Sequence, residues 1–475
     1  ELAFALATAT TVLDDLRPKV PAEHFPAMVG RISFFVNAGI RFITEMSKMR
    51  AFVDLWDEIT AERYGVQEPK FRRFRYGVQV NSLGLTEQQP ENNVYRILLE
   101  MLAVTLSKKA RARAVQLPAW NEALGLPREW DQQWSLRMQQ ILAFETDLLE
   151  FDDIFDGNPA IDAKVEELKA GARAELAQID AMGGAMEAID YMKARLVESN
   201  AERIARIEAG RTTVIGVNSF TEHAPSPLTS GPEAIMLADP EAEAEQIDRL
   251  NAWRAARDDA AVKAALDELA RVAASGENIM PATIRAAKAG ATTGEWGDAV
   301  RATFGQYRGP TGVSRNPSNR TEGLDEIRAR VDAVSAALGR RLSFVVGKPG
   351  LDGHSNGAEQ IATRARDCGM DITYDGIRLT PQEIVESAAR ADAHVIGLSI
   401  LSGSHIELTE EVMQRLAEAG LAHIPVVAGG IIPDDDAARL KALGVAKVYT
   451  PKDFELNTIM DDIVTLADPR GRAAT

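Results

Sequence analysis

Residues 341–368 read RLSFVVGKPGLDGHSNGAEQIATRARDC, and this stretch decides the fold of the C-terminal region. Arg341 to Gly347 is an apolar run of strand length, and Gly357 to Cys368 has the spacing of a helix with Ile361 and Ala365 on one face. Between them runs a short glycine-rich loop that carries Lys348, Asp352, Gly353 and His354. A strand that passes into a helix through such a loop leaves His354 at the strand's C-terminal edge, where open α/β sheets bind ligands. Imidazole is a common metal ligand, and a carboxylate two residues earlier is placed to hold its second ring nitrogen.

The sequence on either side repeats the pattern. Val395 to Ser399 (VIGLS) is an apolar strand that ends in Ser399-Ile400-Leu401-Ser402-Gly403, and Ile424 to Ala428 (IPVVA) is another that ends in Gly429-Gly430. Glycine and serine at strand ends let a bulky planar ligand and its tail approach the backbone, where larger side chains would block the crevice. With further strands near Asp371 to Tyr374 and Ala446 to Tyr449, the region holds five βα units, the flavodoxin-like pattern.

Composition bounds the rest. The chain of 475 residues is 45% hydrophobic and 26% charged, which fits a globular protein of two or three domains. No apolar run reaches the ~20 residues of a membrane span, and no signal peptide is evident. The single cysteine, Cys368, excludes an internal disulfide framework and points to a reducing cytoplasm. A net charge of −17 argues against nucleic acid as a partner. Local basic clusters at 70–75 (KFRRFR) and 108–113 (KKARAR) are the places where an anionic ligand would find cations.

The N-terminal region alternates strands with helices: Arg31 to Val36 then Gly39 to Ala61, Phe74 to Val80 then Glu91 to Ser107, Ala112 to Leu117 then Asp131 to Leu149. Such units imply a parallel sheet with right-handed crossovers. A complete (β/α)8 barrel takes roughly 250 residues, so the expectation is the C-terminal part of a barrel over 1–155, beginning inside a helix at Glu1. From 156 to 330 the pattern is helical and charged, with helices over Asp162 to Gln178 and Glu241 to Arg271, and reads as a connector across the outside of its neighbours. Gly309 to Asn319 is its linker, and the last domain occupies 331–475. His24, His223, His394 and His423 lack ligand spacing and are read as structural; Asp434-Asp435-Asp436 after Pro433 is read as a helix start.

The order Asp352-x-His354-x-x-Gly357 resembles the cobalamin-binding signature, and the succession of partial barrel, connector and this domain resembles the adenosylcobalamin-dependent acyl-CoA mutase family. Residues 74–93 (FRYGVQVNSLGLTEQQPENN) and 114–127 (AVQLPAWNEALGLP) resemble its ethylmalonyl-CoA branch. The methylmalonyl-CoA branch has threonine, serine and histidine at several of these places, where this chain has Val80, Asn81 and Pro118.

The resemblance implies His354 as the lower ligand of the cobalt of adenosylcobalamin, Asp352 as its hydrogen-bonding carboxylate, and Lys348 in the same network. It implies Gly353, Gly357, Ser399, Leu401, Gly403, Gly429 and Gly430 along the groove for the cofactor, and Arg75 and Gln79 as contacts to an acyl-CoA substrate. Arg111 and Arg113 stand where the methylmalonyl branch has a histidine and a glutamine near the cofactor. The implied reaction is a radical carbon-skeleton rearrangement, ethylmalonyl-CoA to methylsuccinyl-CoA, by a cytoplasmic homodimer. The catalytic residues are expected before Glu1, so the chain alone is expected to bind cobalamin without turnover, with 1–155 loosely packed or self-associating for want of an opposing barrel half. Two other readings stay open: a different acyl-CoA mutase, such as methylmalonyl-CoA mutase, and a cobalamin-binding module without catalysis.

Overall fold

The computed structural model describes residues 1–226, 228, 236, 239–313, 324–450, 452, 453 and 455–472. Among these, no helix is long and apolar enough to cross a membrane. Strands β1 (Phe34–Ala38), β2 (Tyr76–Val80) and β3 (Ala114–Gln116) form one parallel sheet in that order. Strands β4 (Ser343–Gly347), β5 (Asp371–Thr373), β6 (Val395–Ile400), β7 (Val426–Gly430) and β8 (Lys447–Tyr449) form a second, in the order β5-β4-β6-β7-β8.

That order is the flavodoxin-like one, and it opens a crevice where the chain direction switches, between β4 and β6. Both strands are buried at every position, because helices cover both faces of a parallel sheet. Phe344 and Val346 pack with Ala358, Ala362 and Ile463 on one side, while Val345 packs with Ile384 and Val412 on the other. The helix Asn356–Asp367 follows the loop that holds His354, and Leu456–Ala467 lies on the same side of the sheet.

In the first sheet the alternation is sharper. Phe34, Val36 and Ala38 of β1 and Tyr76 and Val78 of β2 are buried in one core with Phe52, Leu55 and Trp56 of the helix Phe42–Glu62. The core is aromatic: Phe52 stacks on Phe74 at 4.8 Å between ring centres and Phe34 meets Trp56 edge-on at 4.9 Å. The other face is mostly small and polar, with Phe35 as its one large apolar side chain on these strands. Register sets Asn37, Gln79 and Gln116 in one row and Phe35, Gly77 and Ala114 in the next. The apolar strand faces on this side are covered by helices, and the same core takes in Ile161, Val165 and Ala172 of the helix Pro159–Ala181. Helix Pro159–Ala181 therefore does more than cross an outer surface.

Leu237–Gly309 forms a compact unit of its own. Leu269, Val272 and Ala282 are its centre, with Trp296 packed against them. The helical stretch expected over Glu241 to Arg271 is divided into two helices, Pro240–Ala256 and Asp259–Ser275. The Asp258 carboxylate accepts from the backbone N–H groups of Ala260 and Ala261 and so caps a new helix where the periodicity looked continuous. Of the expected linker Gly309 to Asn319, residues 314–319 lie outside the described residues.

Candidate functional site

The site begins where β4 ends. Gly350 adopts φ +82°, and a Cβ there would come within 2.7 Å of Leu408 Cδ1, so the loop needs glycine to turn. The turn folds Lys348 back under the sheet edge, fully buried. Its Nζ donates to Asp352 Oδ2 at 2.5 Å and to the Ser399 carbonyl at 3.4 Å, which ties the ends of β4 and β6 together. Asp352 also accepts from the Leu401 N–H at 3.3 Å, the His354 N–H at 3.0 Å and the His354 ring, with Nδ1 2.6 Å from Oδ1.

Burial alone would raise the Asp352 carboxyl, but Lys348 and the two His354 donors outweigh it and bring it down to about 2. For Lys348 burial works in the downward direction against the pull of the same carboxylate. An ionised carboxylate only accepts, so His354 Nδ1 must carry the hydrogen, and in the neutral ring this leaves the lone pair on Nε2. The His354 side chain is 79% exposed while that of Asp352 is 5% exposed. A buried carboxylate thus aims an imidazole outward from the strand edge.

Behind this edge lies a cavity of about 720 Å³, lined by Gly357, Ser399, Leu401, Gly429 and Gly430. Gly430 is forced by the sheet, since a Cβ there would fall 1.8 Å from the Ile400 carbonyl oxygen. A Cβ at Gly429 would meet nothing closer than Tyr449 at 3.8 Å. The cavity continues between the sheet and its helices past Phe344, Val346, Ile459 and Ile463. An outward imidazole beside a deep, mostly apolar slot is an arrangement that could hold a cobalamin, with His354 toward its metal. Among the described residues no three His, Cys, Asp or Glu side chains converge on a metal.

Other candidates fall elsewhere. Gly353 belongs to the His354 loop, and Gly403 follows β6 outside the cavity lining, with Leu126 the nearest neighbour a Cβ there would have, at 3.5 Å. Gln79 sits half-buried in the polar row of β2, and Arg75 precedes that strand, its carbonyl accepting from Phe34 N–H at 2.9 Å. Arg111 donates through Nε to the Thr105 carbonyl at 2.8 Å, and Arg113 donates its backbone N–H to Tyr76. Several cations of the basic clusters meet acids, as in Arg72 with Asp57 at 2.9 Å and Lys109 with Asp156 at 2.5 Å. Cys368 is buried, and burial pushes its thiol up to about 12, as suits an inert core residue.

Three features were missed from sequence. Glu122, after β3, lies within electrostatic reach of His354: burial pushes its carboxyl up, while a hydrogen bond from Ser82 and the imidazole oppose the rise. His405 is buried, with Nε2 2.8 Å from Asp436 Oδ2, and links the start of the helix His405–Glu418 to the helix Asp434–Ala442. Glu87, after β2, pairs with Lys452, after β8, at 2.9 Å. Each pair joins residues distant in sequence, and no local motif marks them.

Comparison with known proteins agrees with this geometry. The family model described as methylmalonyl-CoA mutase matches residues 1–306, and the B12 binding domain model matches 342–453. The chain is 77% identical over 474 residues to an ethylmalonyl-CoA mutase of Cereibacter sphaeroides, covering 100% of this chain and 72% of the relative. It is 60% identical over 464 residues to an ethylmalonyl-CoA mutase of Methylorubrum extorquens, covering 97% and 67%. To a methylmalonyl-CoA mutase of Escherichia coli it is 34% identical over 442 residues, covering 91% and 61%.

Proposed function

The chain belongs to the methylmalonyl-CoA mutase family, and from that premise we propose that it serves the adenosylcobalamin-dependent conversion of ethylmalonyl-CoA to methylsuccinyl-CoA. The observation that carries the reading is the Lys348–Asp352–His354 network, which is hydrogen-bonded to the cavity-lining residues Ser399 and Leu401. The choice of substrate is supported by the contrast between 77% and 60% identity to ethylmalonyl-CoA mutases and 34% to a methylmalonyl-CoA mutase.

In this reading His354 binds cobalt through Nε2, Asp352 fixes the ring's tautomer and direction, and Lys348 keeps Asp352 ionised inside the protein. Gly357, Ser399, Leu401, Gly429 and Gly430 leave room for the nucleotide tail, and Gly353 and Gly403 shape the loops beside it. Adenosylcobalamin, when bound, supplies a carbon-centred radical for hydrogen abstraction. The protein orients the substrate and excludes water. Arg75 and Gln79 contact the acyl-CoA, and the polar row Asn37, Gln79, Gln116 offers it hydrogen bonds along the sheet. Asn81, whose side chain accepts from the Leu83 N–H at 2.9 Å, sets the loop that lines the cavity from the barrel side. The division into 1–155, 156–330 and 331–475, a homodimeric state and a cytoplasmic location complete the proposal.

The test is turnover of ethylmalonyl-CoA and methylmalonyl-CoA side by side, with adenosylcobalamin and the full-length enzyme. Preference for ethylmalonyl-CoA is expected. Faster turnover of methylmalonyl-CoA would overturn the substrate, and tight cobalamin binding without turnover of either would leave a binding module.

A further inference from the structure

The helix Ile189–Glu208 reads from sequence as part of a connector, yet it is fastened at both ends to the helix that follows His354. Lys193 pairs with Glu359 at 2.5 Å, and Glu208 pairs with Arg364 at 2.6 Å while also accepting from the Leu456 N–H at 3.2 Å. Glu359 and Arg364 are buried, so the two pairs set the register of one helix on the other. Steps of three and four residues from Lys193 lead through Val197, Asn200 and Ile204 to Glu208, all on one face.

Between the two ion pairs, polar groups go unanswered. Gln360 is 6% exposed and its Nε2 has no hydrogen-bond partner; Asn200 Oδ1 is likewise buried and has none. Both residues line the 720 Å³ cavity. A buried donor or acceptor without a partner is costly and uncommon. One lacks an acceptor and the other a donor, on two walls of the same space. Arg203, one step along, also lines the cavity; it donates to the Leu83 carbonyl at 3.1 Å and has no carboxylate at ion-pair distance among the described residues. Its charge favours an anion nearby.

We propose that this helix is a wall of the cofactor site, and that Gln360 and Asn200 hydrogen-bond the ribose hydroxyls and phosphodiester oxygens of the cobalamin nucleotide tail. The proposal rests on the cobalamin reading above. The tail fits in kind: its phosphodiester oxygens accept from Gln360 Nε2, its ribose hydroxyls donate to Asn200 Oδ1, and its single negative charge meets Arg203. Sequence alone hides this, because a lone glutamine in a helix reads as surface.

Gln360→Met keeps length and volume and removes the donor. The probes are cobalamin and cobinamide, which has the corrin ring without the nucleotide, each titrated by absorbance into the cofactor-free protein. Gln360→Met should bind cobalamin roughly three- to tenfold more weakly, bind cobinamide as wild type does, and show no loss of melting temperature without cofactor, since the removed group had no partner. Asn200→Ala should show the same split between the two probes. Equal weakening of both probes, or of neither, would overturn the proposal; a lower cofactor-free melting temperature with unchanged cobalamin affinity would assign Gln360 to a water-bridged structural role instead. If wild-type protein holds cobalamin no better than cobinamide, the buried-tail reading itself fails. Nitrogen coupling from His354 in the paramagnetic resonance spectrum of the Gln360→Met complex keeps the metal ligand separate from the tail contacts.

Discussion

Asp352 Oδ1 lies 2.6 Å from His354 Nδ1, so a carboxylate held inside the protein sets the direction of an imidazole that stands outside it. The opposite oxygen, Oδ2, takes the Lys348 ammonium at 2.5 Å. The pair is thereby a rigid support, and the exposed Nε2 is its working end.

His354→Ala should remove the nitrogen superhyperfine coupling from the paramagnetic resonance spectrum of bound cob(II)alamin. The fold should survive, because the ring is mostly exposed. A spectrum identical to wild type would transfer the ligand role to another residue.

Asp352→Asn should weaken cobalamin binding by roughly 10–100-fold, the usual cost of losing a partner that orients a metal ligand. Asp352→Ala should also lower stability by about 3 kcal/mol, because Lys348 would remain buried without its counter-charge. Cofactor titration and denaturant melts check the two effects separately.

Adjacent glycines should respond differently. Gly430→Ala places a methyl against the Ile400 carbonyl and should cost about 1–3 kcal/mol or more of stability. Gly429→Ala has room in the sheet, so its melting temperature should stay near wild type while the added methyl narrows the cavity and weakens cobalamin binding. Matching melting curves for the two variants would contradict the packing.

Glu100 predicts a pH dependence. Burial pushes its carboxyl from the ordinary 4.5 up to about 8, with Glu45 adding to the rise and Arg96 opposing it, and its Oε2 has no hydrogen-bond partner. The folded state therefore keeps a proton that the unfolded chain releases above pH 4.5. Stability from this group is fully present below about 4.5 and is lost as pH rises through about 8. Glu100→Gln should melt close to wild type at pH 5 and be the more stable by roughly 3 kcal/mol at pH 8.5. A difference that shrinks with rising pH would reverse the sign.

Much of the C-terminal architecture was legible because its signals are local. The β4 run, the Gly350 turn and the helix after Gly357 sit within 28 consecutive residues, and period-two or period-3.6 apolar spacing is a property of neighbours in the chain. The small edges Ser399, Gly429 and Gly430 were readable for the same reason, since the size of a residue needs no partner to interpret. The partnership of Asp352 with His354 spans two positions and was expected from their spacing together with the resemblance to the cobalamin-binding signature. The break at Asp258 was not, because an aspartate inside a periodic stretch reads equally as an exposed helical residue and as a cap.

Tertiary structure alone decided the rest. Lys193 meets Glu359 across 166 positions of chain, and Glu87 meets Lys452 across 365; such pairs depend on which helix faces which and in what register, and nothing local specifies that. The cavity has walls from the barrel side, the connector helix and the flavodoxin-like sheet, so its extent exists only after those parts have packed. The sequence by itself determined where a histidine would be presented at a strand edge and which strand ends carry small residues; packing determined what encloses the space beside them, because enclosure is a relation among distant surfaces.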